Sequence, residues 1–318
     1  MIAWLKSRGV ALKTEEDGRI FPLTDSSQTI IDCLLQEAEK VGVDIRLKQK
    51  VERIEKEAAS FKIYLQEGEC LECDKILLAT GSSPQGFQLA AGLGHTIIPP
   101  VPSLFTFNIP HFTLQDLAGI SVEKAQIKIT DSNLQQTGPL LITHWGFSGP
   151  AALKLSAWGA RLLHEKNYQV TLQVNWLSHL TREQLVGALK EIRSAQTLHR
   201  GETFGLARNL WIKLIEDSGV DLKKRWLELS HKEIFRIAEK LQADFYKVEG
   251  KTTYKSEFVT CGGIPLDEVN FKTMESKKCP GLYFAGEILD IDGVTGGFNF
   301  QSAWTTSWIA GHAMGETK

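Results

Sequence analysis

The chain has 318 residues, more than the roughly 250 to 300 at which a single hydrophobic core stops growing, so two or three domains are expected. A composition of 42% hydrophobic and 23% charged residues excludes disordered and membrane-embedded classes. The formal net charge of -2, with Lys and Arg interspersed among acids, offers no overall field for a phosphate backbone, so no nucleic-acid partner is expected.

No apolar run approaches the roughly 18 to 20 residues of a spanning helix, so no membrane partner is expected. The opening MIAWLKSRGVALK lacks the pattern of a secretory leader, which makes the cytoplasm the expected address. The five cysteines, Cys33, Cys70, Cys73, Cys261 and Cys279, are scattered and odd in number, the usage of reduced thiols rather than of a disulfide framework.

In chain order, TDSSQTIIDCLLQEAEKVGVDIRL starts with polar N-cap candidates at Thr24 to Ser27. It continues with Ile30, Ile31, Leu34, Leu35 and Ala38 at helical spacing, and Gly42 ends the helix before the strand-like VDIRL. FKIYL alternates and turns at Glu67 and Gly68, and the hairpin feeds the apolar strand ILLA, closed by Thr80 and Gly81. PPVPSLFTFNIP reads as a proline-laden domain exit. FTLQDLAGI, AQIKI, GPLLITHWG and YQVTLQVNWL then read as short strands of a small barrel or sandwich, with the helical GPAALKLSAWGARLLHE among them. TREQLVGALKEIRSAQ, ARNLWIKLIEDSG, LKKRWLELS and HKEIFRIAEKLQ carry helical periods with charged outer faces.

Near the C-terminus, GLYFAGE delivers an apolar strand, LYFA, into a turn at Gly286 and Glu287, the arrangement found at the carboxyl edge of a parallel sheet. After ILDIDGV comes TGGFNFQSAWTTSWIAG, where Gly296 and Gly297 open a helix. Glycines there admit a ligand to the backbone, and the first N–H groups of a helix are donors for phosphate or an electron-rich ring oxygen. Strand, Gly-Glu, acidic loop and Gly-Gly at a helix start together point to a dinucleotide or flavin site.

GLYFAGEILDIDGVTGGFNFQSAW closely resembles the C-terminal signature of bacterial NAD(P)/FAD-dependent oxidoreductases of the bile-acid reductase-like (BaiN/RdsA type) and aminoacetone oxidase-like family. GRIFPLTD, ILLATGS, THWGFSGPAALKLS and VTCGGIPLDEVNFKTMESK extend the resemblance over essentially the whole chain. It implies an α/β fold: an FAD/NAD(P)-binding, Rossmann-like domain, 1–103 and 250–318, interrupted by a β-barrel-like insert, 104–180, and a helical insert, 181–249. The resemblance also implies FAD as cofactor, NAD(P)H as possible co-substrate and a small organic molecule as substrate. Gly286 and Glu287 would approach the ribityl and pyrophosphate region, and Gly296, Gly297, Phe298 and Asn299 the isoalloxazine ring. Thr80 and Gly81 match the strand end close to the cofactor, and Val51 a position whose backbone meets the adenine.

Proteins of this kind begin with a strand, a G-x-G-x-x-G turn and a helix. Neither GSSPQG nor GLGHTI fits that fingerprint, so the FAD-binding domain reads as incomplete, with a possible missing N-terminal segment or a separate chain supplying it. The alternative function is a truncated, non-catalytic remnant or interaction module without bound cofactor. CLEC at Cys70 and Cys73 has half a zinc site's spacing but no second pair, and reads as hairpin residues. HWGFSGP fails G-x-S-x-G at Pro150 and reads as a strand-to-helix turn. EILDID has no EF-hand spacing, so no metal site is expected. No catalytic residue stands out, and a flavoenzyme need not have one, since the cofactor carries the electrons.

Overall fold

The computed structural model describes residues 1–192, 195–200, 203–252, 259–294 and 297–316. The first part runs α1 (Ile2–Lys6), β1 (Leu12–Thr14), β2 (Ile20–Pro22), α2 (Gln28–Lys40), β3 (Val51–Lys56), β4 (Phe61–Leu65), β5 (Cys70–Cys73), β6 (Ile76–Leu78), α3 (Pro84–Gly92) and β7 (Ile98–Ser103). Next come β8 (Thr106–Asn108), β9 (Ser121–Ile129), β10 (Gln135–Ile142), β11 (Gly146–Ser148), α4 (Gly149–Trp158), α5 (Ala160–Glu165) and β12 (Gln169–Asn175). The chain continues with α6 (Arg182–Glu191), α7 (Arg208–Asp217), α8 (His231–Gln242), β13 (Asp244–Glu249), β14 (Lys251–Thr252) and β15 (Val259–Gly263). It ends with β16 (Val269–Asn270), β17 (Glu275–Ser276), β18 (Leu282–Phe284) and α9 (Phe298–Gly315). No helix among the described residues is long and apolar enough to cross a membrane.

The chain forms two compact units, the first made of Met1–Pro99, Gly262–Ile291 and Gly296–Lys318 and the second of Pro100–Cys261 and Asp292–Thr295. In the first unit, β3, β4 and β5 form an antiparallel sheet, and a mixed sheet runs β16-β17-β18-β6, where β18 and β6 are parallel. Its core gathers Phe61, Ile76, Leu78, Phe87, Leu282 and Phe284. Helix α2 buries Cys33 against Leu5 and Val10, with Ile30 packed alongside, whereas Ile31, Leu34 and Leu35 of the same helix remain exposed. VDIRL, expected as a strand, forms none: Val43, Ile45 and Leu47 are exposed in irregular chain, and none of the described strands pairs with it, so its backbone groups have no edge to bond.

In the second unit a seven-stranded sheet runs β13-β12-β9-β10-β11-β8-β14. Its end strands β13 and β14 do not pair with each other, so the barrel-like expectation is corrected: among the described residues the sheet is open. FTLQDLAGI is not a strand but contains a single 3-10 turn at Gln115–Leu117, and LKKRWLELS likewise forms only the turn Trp226–Glu228. Helices α6, α7 and α8 place Leu185, Leu189, Leu210, Leu214, Ile234 and Ile237 in the same hydrophobic cluster as the sheet's Phe107, Ile127 and Phe147. The sequence starts two of these helices with capping boxes, Thr181 with Gln184 and Ser230 with Glu233.

A buried polar network holds the mixed sheet of the first unit. His95 Nδ1 lies 2.7 Å from Glu268 Oε2 and Nε2 lies 2.8 Å from Ser276 Oγ. Those partners assign the tautomer: Nδ1–H donates to the carboxylate and Nε2 accepts from the hydroxyl. Lys278 Nζ meets Glu268 Oε1 at 2.5 Å, and the Thr96 N–H donates to Oε2 at 3.2 Å. Burial raises the Glu268 pKa, but the donors Lys278, Thr96 and His95 outweigh it and lower the group from 4.5 to about 2. Burial likewise pushes the His95 imidazolium below its ordinary 6.5, against the pull of Glu268.

Both folded-state values lie below the unfolded ones, so each group contributes stability at higher pH that is lost on acidification. Melting temperature is expected to fall as pH drops below 6.5, through His95, and again as it drops below 4.5 toward 2, through Glu268. Glu268→Gln should destabilise the protein by about 2 kcal/mol at neutral pH and remove the lower step. Thermal melts of both proteins across this range check it; a lower step that survives in Glu268→Gln contradicts it.

Candidate cofactor site

The site is built at the carboxyl ends of two neighbouring parallel strands. Register pairs Leu282 with Ile76, Tyr283 with Leu77 and Phe284 with Leu78, and the Ala285 N–H donates to the Leu78 carbonyl at 3.1 Å. The turn at Thr80 and Gly81, after β6, and the turn at Gly286 and Glu287, after β18, therefore emerge side by side. In open α/β sheets, ligands bind outside this edge.

Each turn is fixed by a helix. After β6 the chain enters α3, with Pro84 in its first turn. Thr80 rests on α3 at Gly86, where an added Cβ would lie 1.8 Å from Thr80 Oγ1. After β18, Gly286 takes the left-handed backbone, φ +74°, and its N–H donates to Thr306 Oγ1 of α9 at 2.9 Å. Thr306 Oγ1 in turn donates to the Ser302 carbonyl at 2.7 Å, and Ala303 packs against Gly286. Glu287 sits half-buried in the short 3-10 turn Gly286–Ile288.

Helix α9 begins at Gly297, whose φ of +87° only glycine adopts readily and beside which an added Cβ would meet nothing within 4 Å. Among the described residues no side chain caps this helix start, and the Gln301 N–H donates to the Gly297 carbonyl, so the N–H groups ahead of Gln301 precede the helical ladder. Phe298 and Phe300 are 58% and 70% exposed, large values for rings on a helix so apolar. Only Thr306 and Ala310 of α9 are fully buried. Asn299 lies in its first turn, and Gly296 lies outside the described residues.

Val51 opens β3, and its carbonyl accepts a hydrogen bond from Gln85 Nε2 of α3. A groove of about 600 Å³ lies there, lined by Lys50, Arg53, Ser83, Gln85 and Gln88 among others. The structure thus groups Thr80, Gly81, Gly286 and Glu287 directly, ties α9 to them through Thr306, and sets Val51 beside Gln85 of α3, next to the Gly86 on which Thr80 rests. Sequence reasoning missed Thr306, Gly86 and Gln85.

The remaining constellations fall elsewhere. Cys70 and Cys73 stand three apart on β5, hence on opposite faces of the strand, and both are free thiols. Among the described residues, no group of three or more His, Cys, Asp or Glu side chains is placed to hold a metal ion. Asp292 of EILDID accepts from Ser103 Oγ at 3.0 Å. HWGFSGP forms a turn into α4, with Pro150 in the first helical turn.

Compared with known proteins, residues 1–313 match the HI0933-like protein Rossmann domain family. The ribosomal RNA dihydrouridine synthase of Escherichia coli K12 is 29% identical over 315 residues, 96% of this chain and 76% of that protein. The ribosomal RNA dihydrouridine synthase of Haemophilus influenzae is 28% identical over 96% of this chain and 77% of its own length. The 3-dehydro-bile acid delta(4,6)-reductase of Clostridium scindens is 27% identical over 98% of this chain and 77% of its own length. The expectation of no nucleic-acid partner is overturned by these relatives, two of which are named for ribosomal RNA. Net charge failed as a guide because it sums over the whole surface and says nothing of any one face. Neither the fold nor the glycine turns are peculiar to one substrate, but both have their place in a known group: the chain belongs to the HI0933-like Rossmann family, a family of FAD-binding flavoproteins.

Proposed function

We propose that this chain binds FAD at the paired strand ends and takes part in reducing a carbon–carbon double bond conjugated to a carbonyl, with NAD(P)H as electron donor and a uracil base of ribosomal RNA as substrate. The observation that carries the cofactor reading is the open space beside left-handed Gly297 at the start of a helix that Thr306 holds to the turn after β18. A cradle of this kind fits FAD: the backbone reaches the ligand unobstructed and the helix start donates to it. Gly81 and Gly286, both at positive φ, turn the two strand ends, and Glu287 is the residue that would meet ribose or ribityl hydroxyls of the bound cofactor. FAD, when bound, supplies the two-electron redox chemistry.

The relatives' names support the substrate reading. Dihydrouridine is uridine with its ring double bond saturated, and that bond is conjugated to a carbonyl. The delta(4,6) double bonds of a 3-dehydro bile acid stand in the same electronic relation to a ketone. One chemistry covers both, two electrons and two protons added across a polarised double bond. A small organic substrate is the second reading, favoured by the bile-acid relative.

We also read the parallel pair as part of a larger sheet. Among the described residues β6 is hydrogen-bonded to one neighbouring strand, β18, and the apolar α9 keeps Phe298, Phe300 and Trp308 exposed. A parallel strand carrying the G-x-G-x-x-G turn would complete such an arrangement. A non-catalytic remnant predicts, by contrast, no cofactor affinity.

Incubation with excess FAD followed by desalting is expected to leave a visible flavin band on the purified chain. Gly297→Val, which forces a branched residue into the left-handed region, should weaken retention by at least about tenfold. A colourless chain, or a variant that retains FAD unchanged, would sink the cofactor reading. With FAD and NAD(P)H present, unmodified ribosomal RNA should gain two hydrogens on a uridine, read by nucleoside mass spectrometry. NAD(P)H oxidation that responds only to small enones selects the second reading.

A further inference from the structure

The seven-stranded sheet has two unlike faces. Toward the core it sends Tyr246, Leu172, Ile127 and Ile129. On the opposite face the register aligns Phe245 of β13 with Gln173 of β12, Gln173 with Lys128 of β9, and Lys128 with Gln135 of β10. The flanking positions on that face are Lys247 and Gln126, and none of these six residues is buried. Phe245 is 57% exposed. A lone exposed ring is ordinary on a protein surface. Here it stands in register with amides and ammonium groups, and no carboxylate shares its row or either adjoining one. The first acid along the outer face of β13 is Glu249, at its end. Neither Lys128 nor Lys247 has an ion-pair partner among the described residues.

We infer that this face binds a short unpaired segment of RNA. Exposed aromatic rings on antiparallel sheets stack bases, side-chain amides meet base edges, and ammonium groups meet phosphates. Strands lie about 4.8 Å apart, so Phe245 and Lys128, two strands apart, are separated by about 10 Å, a span that one stacked nucleotide and its neighbouring phosphate cover. The absence of carboxylates on these rows removes the repulsion that most protein surfaces offer to phosphate. The inference rests on the RNA substrate proposed above and adds where the RNA is held.

The test uses fluorescein-labelled oligouridine, with a duplex of equal length as the control, and reads anisotropy across a salt series. The single strand should bind the whole chain. Phe245→Ala should weaken it about five- to hundredfold while leaving the melting temperature unchanged, as stacking on an exposed ring requires. The double variant Lys128→Gln/Lys247→Gln should lower the salt slope of log K by about 1.4. A 4-thiouridine version of the probe should photocrosslink to the peptide containing Phe245. If both variants bind like the parent, the face is not the site, although the RNA reading stands. Equal binding of the duplex, insensitive to Phe245→Ala, overturns the inference in the same way. If no RNA binds at all, the inference and the RNA reading fall together.

Discussion

The pairing of β6 with β18 brings a strand from the first third of the chain beside one from its last eighth, and the first unit depends on that contact. Ile76, Leu78, Leu282 and Phe284 are all buried there, each contributing on the order of 1.5–3 kcal/mol. Such burial offsets the closure entropy of a long intervening segment, because that cost grows only logarithmically with length. Parallel alignment is what matters chemically. It places both carboxyl ends on one edge, so the two glycine turns face the same space. An antiparallel pairing of the same residues would send them to opposite ends.

The sheet edge is held by groups that are costly to bury. His95, in a T-shaped contact with Phe284 at 4.8 Å between ring centroids, links β18 to Glu268, Ser276 and Lys278. Each buried polar atom of His95 has a partner, which is the condition under which such a network fixes one arrangement instead of weakening the core. Thr306 does the same for α9 at smaller scale: one hydroxyl accepts from the Gly286 N–H and donates to the Ser302 carbonyl. The helix start is thus oriented by a turn several residues away, while the space beside Gly297 stays open.

The second unit separates its tasks by face. Trp176, Phe147 and Tyr246 pack edge to face within its core, and Asp244 accepts from the Trp176 indole and the Tyr246 hydroxyl, so large rings are buried with their polar atoms satisfied. The outer face keeps amides, hydroxyls and ammonium groups toward solvent. A shared flavoprotein fold accommodates relatives named for RNA and for bile acids because a fold by itself does not specify a substrate.

By itself the sequence determined local matters. Apolar spacing from Ile30 to Ala38 specified α2, ILLA and LYFA specified two buried strands, and glycines at 81, 286 and 297 marked where the backbone leaves the ordinary regions. These depend on neighbours a few residues apart, which a linear pattern records. Tertiary structure alone decided which stripe of α2 is buried, why VDIRL pairs with nothing, that the seven-stranded sheet stays open, and that Thr306 reaches Gly286. It also decided that Phe245, Gln173 and Lys128 share a row, although the chain as a whole carries net negative charge. The reason is common to all of them: strand partners and register are long-range choices, fixed by which edges meet, and no period along one strand encodes the identity of its neighbour.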